Sequence, residues 1–216
     1  MKASSLPRPL RQGGVLIWQH LPTLIGLNVL WSVLALTLVL LGPVTLGVYV
    51  FIAQLRDDAG PQWRDVPGLL RRFLLPGLGW FVTLLVFTFL AFANLSYWPR
   101  VLGSFGSAVA VLAWSYLIWL FAALQPYLLE ALTTERRPYL RAWGAAFTAL
   151  ARRPVSAHLY ALLPASALLL GLFFRTLAPL VLVSLTLAFA AVQVRPLTIR
   201  PEPEEEWPSS LKEGQP

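Results

Sequence analysis

Apolar residues in this chain come in long runs broken by short polar ones, and the lengths of the runs predict the first elements. Residues 21–41 carry no charge, and about twenty such residues rise ~30 Å as a helix, the depth of a hydrocarbon layer. The run therefore predicts a transmembrane span, stopped and bent at Gly42-Pro43. Residues 44–55 are apolar again but number only about a dozen, ~18 Å of helix. That arm is too short to cross alone: it either starts part-way down the membrane or re-enters and leaves on the same side. Further spans are predicted over 77–96, over 107–124 with a bend at Pro126, over 155–174 with Pro164 near its middle, and over 177–194, with Arg175 in the last turn.

Between the runs, three segments mix polar and apolar positions at helical spacing: 10–20, 62–76 and 139–152. Such helices lie at a membrane surface. In the second, Trp63, Leu69, Leu70, Phe73 and Leu74 are placed toward lipid, and Arg64, Arg71 and Arg72 toward water. Each segment precedes an apolar hairpin, which suggests three units at 10–55, 62–126 and 139–194. Any multi-pass protein alternates this way, so repeat and coincidence both remain open. The chain thus divides into an N-terminal lead-in (1–20), a membrane domain (21–194), and a Pro- and Glu-rich tail (195–216) of the composition that stays disordered.

Composition agrees with this division. With 57% hydrophobic and 12% charged residues and a mean hydropathy of +0.65, the chain lacks the polar surface of a water-soluble domain. A net charge of +7 would raise nucleic acid as a partner, but the basic residues form no stripe. They sit between the apolar runs, where topology signals belong, so no nucleic acid partner is expected. If the short arm returns to its own side, fifteen of the basic residues fall on one side and two on the other; without the return the split is twelve to five. The positive-inside rule then places both termini and the two large loops in the cytoplasm of a bacterium, with the protein in its inner membrane. Lys2, Arg8 and Arg11 precede the first run as in a signal peptide, but no convincing cleavage site follows, and the segment is expected to be retained. The chain has no cysteine, which excludes disulfides, thiolate nucleophiles and cysteine-ligated metal.

Candidate chemistry is sparse. No phosphate-binding glycine loop, nucleophile elbow or dinucleotide fingerprint occurs. His20 and His158 stand alone, without metal-ligand spacing, so no cofactor is expected. Asn28, Ser32, Thr37, Asn94, Ser115, Tyr116 and Gln125 lie within predicted spans, where they can line a solute path or hydrogen-bond between helices. Glu130 has two readings: a buried carboxylate that takes up protons, or an interfacial acid paired with Arg136, Arg137 or Arg141. The arginine pairs 71–72, 136–137 and 152–153, together with Arg64 and Arg141, anchor loops at an anionic inner leaflet or grip a phosphate group. Small residues at 103–110 and 161–171 permit close helix packing.

Several stretches together resemble one family. Asn28-Val-Leu-Trp31, the run into Leu41-Gly42-Pro43-Val44-Thr45, Tyr49 beyond it, the Arg-Arg-Phe loop at 71–73, and the late Leu140-Arg-Ala-Trp143 with Ala149-Leu-Ala-Arg-Arg-Pro154 look like the YesL-like bacterial membrane proteins. The likeness covers roughly residues 20–194. This family is a domain of unknown function whose members often lie beside sugar-uptake genes, so the resemblance implies an accessory part in carbohydrate transport. The expectation is an all-α, multi-pass transmembrane bundle of five full spans and one short arm, with interfacial amphipathic helices. It is expected to act without catalysis as an accessory or assembly partner of transporter subunits, with anionic lipid as its other partner. The alternative is a small solute transporter or channel.

Overall fold

The computed structural model describes residues 7–173 and 178–197. The tail beyond 197 and the turn holding Arg175 lie outside the described residues. Among the described residues the chain is all helical, 86% helix with no strand.

The helix α1 (Arg8–Gln19) is amphipathic, as its spacing predicts, and buries Leu16 and Gly13. It meets α2 (Leu21–Ala35) at 86°. Pro22 enforces that corner: with no N–H to give, it fits the first turn of a new helix and cannot continue an old one. The predicted 21–41 span is shorter than expected. Its helix stops at Ala35, and the hydroxyl of Thr37 accepts from the Leu40 N–H at 3.2 Å while donating to the Leu34 carbonyl at 2.8 Å. Thr37, placed within a span by the sequence, thus shapes the turn. Gly42-Pro43 opens α3 (Leu41–Arg56) instead of closing the helix before it, because proline suits a first turn, whose N–H groups have no helical partner.

The helix α3 is the most enclosed of the set, with twelve buried residues, and packs against α2, α5, α6 and α9 (Ala178–Val194). Its crossing with α5 (Leu74–Val101) is backbone on backbone. A Cβ on Gly42 would lie 2.6 Å from the Gly77 carbonyl carbon, and one on Gly77 would lie 2.6 Å from Pro43 Cα. Before α5, a 3-10 turn (Trp63–Asp65) and α4 (Val66–Arg72) fold inward. Phe73 is buried, Leu69 and Leu70 pack on the core, and Trp63 rests 5.3 Å from Phe51. Of the side expected to face lipid, Phe73 is thus buried and Leu69 and Leu70 partly so, while Trp63 and Leu74 stay exposed.

The helices α5 and α6 (Ser104–Thr133) have the length and apolar composition to cross a membrane, and α1 with α2 makes a third candidate if that bent pair is one span. At 28 and 30 residues they rise about 42 and 45 Å. Only 17% and 11% of their most apolar windows are buried within the protein. Val82, Phe89, Phe92, Val109 and Leu112 stand more than half exposed, a continuous oily surface that water would not tolerate. Both helices continue through their prolines, Pro99 and Pro126, as α8 (Pro154–Phe173) does through Pro164. The amphipathic α7 (Tyr139–Arg152) buries Ala142, Ala146 and Leu150 against α6. The Tyr139 hydroxyl donates to the Gly79 carbonyl at 3.0 Å, joining α7 to α5.

Candidate functional site

The last residue of α3, Arg56, is completely buried, and all five of its N–H donors have acceptors. Nε and Nη2 fork onto the Asp57 carboxylate at 2.8 and 3.0 Å. Nη1 reaches Glu130 Oε2 at 3.2 Å and the Ala191 carbonyl at 2.9 Å, while Nη2 reaches Glu130 Oε1 at 3.3 Å. The contact with α9 is made to its main chain, at the carbonyl of the buried Ala191. Glu130, on the last turn of α6, is 2% exposed. Its Oε2 also accepts from the Tyr49 hydroxyl at 2.9 Å, and its Oε1 pairs with Arg195 Nε at 2.8 Å. Tyr49 lies two turns before Arg56, on the same face of α3.

Beyond this core the pairing runs outward. Arg195 meets Glu135 at 3.5 Å, and Arg137 meets Glu135 at 2.6 Å. Three arginines face three carboxylates, so the network is neutral, and α3, α6 and α9 are held at one end of the molecule. Glu130 is buried, but its partners are Arg56 and Arg195; none of Arg136, Arg137 or Arg141 pairs with it. The sequence missed this because Arg56 sits in a charged break that resembles an ordinary loop. A guanidinium with five filled donors and a carboxylate with four incoming bonds form a fastening. Neither holds a spare site from which to bind a solute.

The other polar residues singled out in the sequence are placed apart. Asn28 is buried, and its Oδ1 accepts from the backbone N–H of Val183 and Ser184 at 2.8 and 3.0 Å, so α2 is pinned to α9. Ser32 donates to the Asn28 carbonyl. Gln125 accepts from Trp80 Nε1 at 2.9 Å and donates to the Phe121 carbonyl, joining α6 to α5 one residue before Pro126. Asn94 bonds within α5, to Leu90 and Trp98. Ser115 and Tyr116 are exposed, with the Tyr116 ring stacked 6.3 Å from His158. Trp31 and Thr45, both in the stretches that carry the family resemblance, are hydrogen-bonded at 2.8 Å. Replacing Asn28 with Ala removes both bonds to α9, and we expect a loss of about 1–3 kcal/mol, read as a lowered thermal midpoint in detergent; an unchanged midpoint would show that the bonds contribute nothing.

Arg64, Arg71, Arg72, Arg136, Arg137, Arg141, Arg152 and Arg153 are all exposed. Among the described residues, no three His, Asp or Glu side chains gather as metal ligands would. No protein-family model, curated protein or solved structure matches this chain.

Proposed function

We propose that this is a multi-pass protein of a bacterial inner membrane. In this reading it has five spans and one short arm, cytoplasmic termini, and no catalytic activity, and it serves as an accessory or assembly partner of a transport system. The YesL-like resemblance supplies the transport context and carbohydrate as the substrate class. The observation that carries the accessory reading is that the buried side chains of Arg56, Glu130 and Asn28 are spent on protein partners. Arg56, Glu130 and Asn28 hold helices together, and the path residues Asn28, Asn94 and Gln125 are each bound to separate protein partners. The orientation is supported by charge: Arg8, Arg56, Arg153 and Arg195 gather at one end, where Tyr127 and Glu130 also lie, while Arg100 ends α5 at the other.

Purification from native membranes in mild detergent after crosslinking tests this reading. A transporter subunit is expected in the eluate at fixed stoichiometry. Its reproducible absence, together with solute uptake by the purified protein in liposomes, overturns the accessory role in favour of a transporter.

A further inference from the structure

A cavity of about 580 Å³ opens at the basic end, between the start of α1, the end of α7, the start of α8 and the end of α9. Arg8, Arg152 and Arg153 line it, and among the described residues no carboxylate does. None of the three takes part in an ion pair among the described residues, unlike Arg56, Arg137 and Arg195 nearby. Three guanidiniums around one hollow, with no carboxylate partner among the described residues, repel one another unless an anion joins them.

The second observation is Gln193. It is 4% exposed and lines the same cavity, and neither Nε2 nor Oε1 has a hydrogen-bond partner. The Tyr127 hydroxyl is near enough to feel that amide but completes no bond with it. A buried amide without partners is costly, and a bound ligand reaching it is one way to satisfy it. Ser156, Tyr127 and Tyr160 add three hydroxyls to the wall. Donors therefore greatly outnumber acceptors, which fits a group with several oxygens and negative charge.

The geometry points to a binding site for a phosphate ester, with its phosphate among Arg8, Arg152 and Arg153 and a polar substituent against Gln193. The hollow is far larger than a bare phosphate fills, so the organic part lies inside as well. Along α8, Val155, Leu159 and Leu162 are exposed on the face adjoining Ser156 and Tyr160, where acyl chains would run if the ester is a lipid headgroup. A soluble phosphate ester would engage the same donors without them. The site stands independently of the accessory reading, since it uses none of the residues of the Arg56 network.

The test uses the full chain in maltoside detergent with two probes: phosphatidylglycerol, read by native mass spectrometry, and glycerol 1-phosphate, read by calorimetry. Saturable binding of one equivalent is expected. Lipid binding alone identifies a headgroup site; glycerol phosphate binding identifies a site for soluble esters; either supports the assignment. Arg153→Gln should weaken binding about fivefold, and Arg152→Gln with Arg153→Gln about twentyfold, whereas Arg100→Gln at the far end should change nothing. Gln193→Leu should weaken binding while preserving or raising the thermal midpoint of the free protein, because it removes an unpaired buried amide. A merely structural glutamine would not give that combination. Failure of both probes to bind, an equal loss with Arg100→Gln, or unchanged affinity in Gln193→Leu overturns the site.

Discussion

Replacing Arg56 with Met is expected to lower the unfolding free energy by about 3–5 kcal/mol, the usual cost of leaving one half of a buried ion pair alone. Glu130 would keep Arg195 and Tyr49 but lose its two bonds from Arg56, and the Ala191 carbonyl would lose its side-chain donor. Glu130→Leu should cost a similar amount, since it leaves the fully buried Arg56 with only Asp57 and the Ala191 carbonyl as acceptors. The two losses should not add. Asp57 and Arg195 are 39% and 44% exposed, so each can turn to solvent once its buried partner is gone. The double variant should therefore recover about 2–3 kcal/mol relative to the sum. Chemical or thermal unfolding of the four proteins in one detergent measures this, and strict additivity would mean that the contacts between Arg56 and Glu130 contribute no coupling.

The second large effect is expected at the crossing of α3 and α5. Gly77→Ala and Gly42→Ala each push a Cβ into the backbone of the other helix, where no rotamer can turn aside. The cost should reach the upper end of the ~1–3 kcal/mol typical of overpacking, and Val at either position should prevent accumulation of folded protein. Gly144, inside α7 with nothing within 4 Å of its would-be Cβ, is the contrast. There Ala should stabilise by about 0.5–1 kcal/mol through helix propensity alone. A thermal midpoint for Gly77→Ala equal to that of the parent would remove the close approach as a determinant of the fold.

These two sites mark what the sequence could and could not convey. The helices α5 and α6 were legible because a long uncharged run has few structures open to it, and α1 and α7 because their polar positions recur each turn. The Gly42-Pro43 pair was legible as punctuation but not as to which helix it belonged: the residues that end one helix also open another, and only the Thr37 turn decides between them. Tertiary pairing left still less trace. Glu130 stood out as an acid near a span, but its partner Arg56 lies 74 positions away in a segment composed like any loop. Nothing local distinguishes a cation that will be enclosed from one that stays wet. The apolar face before α5 is ambiguous for a related reason, since such a face signals burial without saying whether lipid or protein does the burying: Leu69 and Leu70 pack on the core and Leu74 stays exposed.

The span of that network along the chain bears on the order in which the molecule can be made. Arg56 leaves the ribosome long before Glu130, and the carbonyl of Ala191 and the guanidinium of Arg195 come last of all. Until α6 arrives, Arg56 has only the neighbouring Asp57 carboxylate for its donors, and three of its five bonds wait on residues still to be made. Arrival of α9 closes the remaining contacts, and a nascent chain stopped short of it would leave Glu130 without Arg195 and Arg56 without the Ala191 carbonyl.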